Sequence, residues 1–370
     1  MSRHQGVLAS VADRSALLQA GIVQKAFRQL AQQYPQDALT PSIDAYTGSS
    51  VDSVIATIAN ASLDTKLPLD RLSSGNGLIY AYLASNRQNK TYEAAIDALQ
   101  QSVDLQPRNQ DGSLWFYVYP NYTYLDGMIS LAPFLTLYST SLAAGEGACP
   151  SGPSSFNETI TQLDLLWQNT RLESGLLVHG YDASKRAVWA NATTGASPHA
   201  WGRALGWYCM ALVDVLELLP LSAVAARQWV EAHFKALMGS VVDAVDESTG
   251  AWWQVLDQPG RAKNYIESSS SAMFVYSLLK GRRMGYLGGQ EVRVEAVAKR
   301  AYEYLVDTFV VHNANGTLGW NGTVSVCSLN STASYEYYVG QPILYNSVLG
   351  SAAFVRASLE YERLRGAGGG

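Results

Sequence analysis

At 370 residues, 48% of them hydrophobic, the chain has material for one large core or two modest ones, which excludes a disordered polypeptide. Its 26 Lys and Arg against 31 Asp and Glu give a net charge of −5 without any basic tract, removing nucleic acid and anionic membrane surfaces from the expected partners. No apolar run reaches the roughly 18 to 20 residues that span a bilayer.

The first eleven residues have neither helical periodicity nor the apolar core of a signal peptide, and they are expected to fray. From residue 12 helical periodicity dominates. Apolar residues recur at i, i+3, i+4 and i+7 in ADRSALLQAGIVQKAFRQLAQQY, SVDSVIATIANAS and TYEAAIDALQQSVDL, with a weaker helical stretch near 45–60 and another near 73–87. A loop rich in turn residues and rings, RNQDGSLWFYVYPNY, then leads to a weaker helix near 126–142 and to ETITQLDLLWQNTRL. Beyond the loop NATTGASPHAWG come RALGWYCMALVDVLELL and ARQWVEAHFKALMGSVVDAV. The loop DESTGAWWQVLDQPG precedes SAMFVYSLLKGRRMGY and VRVEAVAKRAYEYLVDTFV, and ANGTLGWNGTVSVC precedes a last weak helix near 342–365. Long alternating strands are absent. About twelve helices at hairpin spacing predict six helical hairpins in a single all-α domain over 12–365, followed by a disordered glycine-rich tail at 366–370.

The loops carry the chemistry. Nine Trp and 22 Tyr against 8 Phe favour rings that also bear a polar atom, which suits either sugar stacking or an ordinary core and rim. Cys149, Cys209 and Cys327 show no metal-ligand spacing. Cys209 reads as a core residue, and Cys149 and Cys327 lie in loops where a disulfide is possible. Eight Asn-X-Ser/Thr sequons, at Asn60, Asn89, Asn121, Asn157, Asn191, Asn315, Asn321 and Asn330, point to an extracellular protein whose leader has been trimmed, with a cytoplasmic location as the alternative.

The segments LPLDRLSSGNG, YPNYTYLDGMISLAPFL, LLVHGYDASKRAVWAN, SPHAWGRALGWYCMALVDVLELLP, WWQVLDQPGRAKNYIESSSSAMFVYSLLKG and SYEYYVGQPI, taken in order, resemble the unsaturated rhamnogalacturonyl hydrolases of glycoside hydrolase family 105, relatives of the family 88 unsaturated glucuronyl hydrolases. The resemblance spans residues 12 to 355. It implies an (α/α)6 barrel that hydrates the C4=C5 double bond of a terminal unsaturated uronate, with no metal or organic cofactor and no obligate protein partner; unsaturated glucuronyl hydrolysis of other lyase products and a non-catalytic sugar-binding barrel are the alternatives. The expected partner is a small acidic oligosaccharide.

The resemblance makes Asp126, in YLDGM, the proton donor, and Asp70, in LPLD, the second carboxylate; each also fits a helix cap. Tyr124 packed beside Asp126 would raise its pKa by desolvation. His179 matches a site histidine, whereas Asp182 reads as a loop residue supporting that segment. Arg203 and Trp207, four apart, share a helix face, so Arg203 is expected to bind the uronate carboxylate and Trp207 to stack on the sugar, with Trp201 at the same mouth. The chain departs from the family pattern in Ser73 and Ser74 after Asp70, and in Trp115 where relatives place a histidine, which leaves the leaving-group preference open.

Overall fold

The computed structural model describes residues 1, 3–10, 13–142 and 156–367. The chain gathers into two compact units, one of Met1–Thr123, Gly127–Leu165 and Asp214–Trp229, the other of Tyr124–Asp126, Leu166–Val213 and Val230–Gly370. The helices, in chain order, are α1 (Ala16–Gln33), α2 (Thr40–Val54), α3 (Ala61–Asp64), α4 (Gly75–Ala84), α5 (Lys90–Asp104), α6 (Met128–Ser141), α7 (Asn157–Thr170), α8 (Gly202–Leu218), α9 (Val224–Asp243), α10 (Ser268–Met284), α11 (Glu291–Phe309), α12 (Tyr335–Val339) and α13 (Val348–Ala367). Strands among the described residues have only two or three residues each, too short to show alternation in sequence.

In the first unit α1 packs on α2 and on a 3-10 helix, Leu69–Ser74. That contact depends on Gly21, where a Cβ would lie 2.4 Å from the Ser73 backbone. Within α6, Pro133 has no N–H to give the Ile129 carbonyl, and the Lys25 ammonium donates to it at 3.0 Å instead. Asn60 and Asn89 cap α3 and α5 through their side-chain oxygens. The segment before residue 12 is hydrogen-bonded onto α2: Tyr46 donates to the Gln5 carbonyl at 2.7 Å, and Leu8 N–H to Ser53 Oγ at 2.9 Å.

In the second unit α10 is buried from Ser268 through Gly281 and packs on α11 and α13. Its first turn is four serines, small enough for neighbouring loops to approach. Glu267 caps it by accepting the Ser270 N–H at 2.7 Å, and Gly285, at φ 77°, ends it in the left-handed region. Cys209 and Cys327 are buried, Cys209 in the core of α8 as expected; Cys149, the other half of the considered disulfide, lies outside the described residues, and of the tail expected at 366–370 the first two residues instead close α13 while 368–370 lie outside the described residues.

Candidate active site

Asp126 sits on a 3-10 turn, Leu125–Gly127, that runs into α6. The N-cap position of α6 belongs to Gly127 and no side chain caps it, so Asp126 is not spent on capping. The turn is held by the Leu125 N–H donating to the His179 carbonyl at 3.0 Å. Asp126 is 9% exposed, and its Oδ2 lies 3.0 Å from Nε2 of the fully buried His179. The two atoms are close without the alignment of a hydrogen bond.

The other side of His179 is fixed. Its Nδ1 lies 2.8 Å from the hydroxyl of Tyr338 on α12, and burial pushes that phenol well above its ordinary pKa, so it keeps its proton. The imidazole is further enclosed by Tyr124 edge-on at 5.3 Å and by Trp201 at 4.8 Å. Tyr124, Asp126, His179 and Trp201, expected together from the sequence, are therefore one cluster. Tyr338 was not anticipated: it is one of three tyrosines in SYEYYVG, and nothing in that run marks which faces the site.

Behind the cluster lies a buried polar frame. Trp201 donates its indole N–H to Gln254 Oε1 at 3.1 Å, and Gln254 in turn donates to the Tyr338 carbonyl at 3.3 Å. Arg203 is 1% exposed; its guanidinium stacks on Trp201 at 4.8 Å and donates to the carbonyls of Val324 at 2.5 Å and Ser325 at 2.6 Å. The residue expected to grip a uronate thus grips the chain's own backbone. Glu267 completes the frame, accepting from Val324 N–H at 3.0 Å and Ser269 Oγ at 2.8 Å. Trp207 lies on α8 at 1% exposure, inside the protein instead of at a surface where a sugar stacks. The Cys327 thiol is pushed up to about 12, first by burial and then by the charges of Asp126 and Glu267 against the opposing pull of Arg203, so it stays a thiol.

Asp182 is a loop anchor, as expected. Its carboxylate accepts from Ser184 N–H and Oγ and from the N–H groups of Arg186 and Ala187, at 2.7 to 2.8 Å. Burial raises its pKa, but these bonds outweigh it and leave the group below its ordinary value.

In the first unit Asp70 is buried on the 3-10 helix Leu69–Ser74, whose N-cap is Pro68, so it too is no cap. The buried Arg71 beside it donates to Ser102, Gln106 and the Leu67 and Pro68 carbonyls, locking the segment that carries the carboxylate. Trp115 is half-buried and donates its indole N–H to Asn109 at 2.8 Å. Among the described residues no group of three or more His, Cys, Asp or Glu is placed to hold a metal ion.

The chain is similar to known proteins along most of its length. Protein Atu3128 of Agrobacterium fabrum is 34% identical over 221 residues, 58% of this chain and 94% of that protein. The family 105 glycoside hydrolase of C. acetobutylicum superposes with a TM-score of 0.81 at 28% identity, covering 96% of each chain. A possible family 105 member from Salmonella enterica superposes with a TM-score of 0.73 at 20% identity, over 94% of this chain and 82% of the other. The fold is accordingly the six-hairpin (α/α)6 type expected from the sequence. Residues 11–365 match the model of Glycosyl Hydrolase Family 88; the chain belongs to that family and is a glycoside hydrolase.

Proposed function

We propose that the enzyme hydrates the C4=C5 double bond of the terminal unsaturated galacturonate of rhamnogalacturonan oligosaccharides. The observation that carries this reading is the Asp126–His179–Tyr338 arrangement, a nearly buried carboxyl 3.0 Å from an imidazole whose far nitrogen is held by a phenol. Asp126 delivers its proton to C4 and positive charge develops at C5, shared with the ring oxygen; water adds at C5 and returns a proton to Asp126. The resulting hemiketal opens by breaking its bond to the ring oxygen, and the hemiacetal left at C1 releases the neighbouring sugar. One water is consumed. Asp70 is the second carboxylate that the resemblance implies for this reaction.

Assay on unsaturated galacturonyl-rhamnose against unsaturated glucuronyl disaccharides tests the substrate. Faster turnover of the galacturonyl-rhamnose is expected, and Asp126→Asn is expected to remove it by loss in kcat, with binding nearly intact. Preference for the glucuronyl substrates would move the enzyme to the other branch of its relatives, and wild-type turnover by the variant would displace Asp126 as the acid.

We also place the protein outside the cell. Of the eight sequon asparagines six are exposed and two, Asn89 and Asn121, are half-buried, so each is at a surface that a glycan can occupy. Expression through a eukaryotic secretory route is expected to give a mass excess removed by endoglycosidase; a secreted product of unmodified mass contradicts this.

A further inference from the structure

With Arg203 consumed by the backbone, an acidic oligosaccharide needs another cation. The loop 255–264 supplies one. A surface pocket of about 270 Å³ is lined by Arg261, Ala262 and Lys263 on this loop and by Tyr335, Glu336, Val339 and Gly340 at α12.

The pocket is preorganised. Asn264 closes the loop by donating to the carbonyls of Val255 at 2.9 Å and Gln258 at 2.7 Å, and Tyr335 pins it to α12 by donating to the carbonyls of Arg261 at 3.1 Å and Ala262 at 2.9 Å. Arg261 is already engaged, lying 3.7 Å over the Tyr335 ring and 3.2 Å from Glu336. Lys263 is different. It is exposed, makes no hydrogen bond or ion pair with another described residue, and sits at φ 73°, a conformation that costs a non-glycine residue about 1 kcal/mol or more. A positive charge without a protein partner is thus held at the edge of a built pocket.

The pocket connects to the chemistry through α12. The His199 ring lies between Tyr335, at 6.1 Å, and Tyr338, at 6.3 Å, and Tyr338 is the residue that holds His179. His199 is itself fixed by Asp257, which accepts from the Ala200 N–H at 2.8 Å and lies 2.9 Å from His199 Nδ1. Tyr335 and Tyr338 stand one turn apart on the same helix, so the element that holds His179 also forms a wall of the pocket that Lys263 lines. We propose that this pocket is an outer subsite for a second carboxylate-bearing sugar, with Lys263 pairing its carboxylate and Glu336 accepting from its hydroxyls. The inference rests on the proposed action on acidic oligosaccharides and adds where a longer substrate is gripped.

The test is Lys263→Met and Lys263→Glu, with thermal melting as the control for folding. For an unsaturated tetrasaccharide bearing two uronates, KM is expected to rise roughly threefold in the first and about tenfold in the second, with kcat unchanged. KM for the disaccharide, which has only the terminal uronate, is expected to stay within error of wild type. Calorimetric binding of saturated tetragalacturonate, which lacks the double bond, is expected to weaken in parallel, while its methyl ester binds equally to wild type and variants. Equal KM values for both lengths in all three proteins, or equal binding of acid and ester by the wild type, would overturn the subsite. Failure of the wild type to turn over the disaccharide would strike the proposed activity alone, because the binding comparison stands without catalysis.

Discussion

Asp126, the proposed proton donor, adjoins an imidazole that is itself held still, and Tyr338 does the holding. Removing its hydroxyl leaves a fully buried imidazole nitrogen without a partner, a loss of order 1 to 3 kcal/mol. Tyr338→Phe is therefore expected to lower kcat by about tenfold or more and to shift the pH profile of kcat, with KM little changed. An unchanged kcat and pH profile would show that the phenol only fills space. Asp126 and His179 were legible because each sits in a short motif, YLDGM and LLVHGYD, whose order along the chain carries the resemblance. Arg203 was legible as sharing a helix face with Trp207 but its use was not, because the carbonyls it binds are 121 and 122 residues away, in a loop that has no periodic signal.

At the scale of elements, periodicity located the helices and local chemistry set their ends. The weak helix near 45–60 starts earlier than expected, at Thr40, because Pro41 is suited to a first turn, and it stops at Val54; the last begins at Val348, beyond Pro342 and the two-residue strand Ile343–Leu344. Such boundaries are the part of a helix that apolar spacing leaves unspecified. The short α3 hides a titration. Burial pushes the carboxyl of Asp64 from 3.8 up to about 6, against the pull of Arg71 and of the Asn60 N–H. An acid with a raised folded pKa lends its stability in full below its unfolded value, near 3.8, and loses it as the pH rises through about 6. Asp64→Asn is consequently expected to gain on the wild type between about pH 4 and about pH 7, on the order of 3 kcal/mol at most, in urea unfolding followed across that range. Parallel stability curves for the two proteins would contradict the assignment.

For the molecule as a whole, composition narrowed the expected partners and the succession of motifs identified the family, while the two compact units, each interleaving distant stretches of chain, leave no composition break to read. The buried polar frame of Glu267, Gln254, Arg203 and Trp201 was equally invisible, since its members are recognisable only by the contacts they make. The reaction proposed at the cluster in front of this frame is a hydration and not a displacement at the anomeric carbon. Ordinary glycosidic cleavage uses two carboxyls and puts the oxygen of water on the anomeric carbon. Hydration puts solvent hydrogen on C4 and solvent oxygen on C5, since protonating the enol ether makes C5 the electron-poor centre. Turnover of the unsaturated disaccharide in heavy water enriched in labelled oxygen, quenched early and read by NMR and mass spectrometry, measures this directly. Carbon-bound deuterium at C4 with labelled oxygen at C5 is the expected product; initial product without deuterium at C4, carrying new oxygen only at the anomeric carbon, would contradict the account.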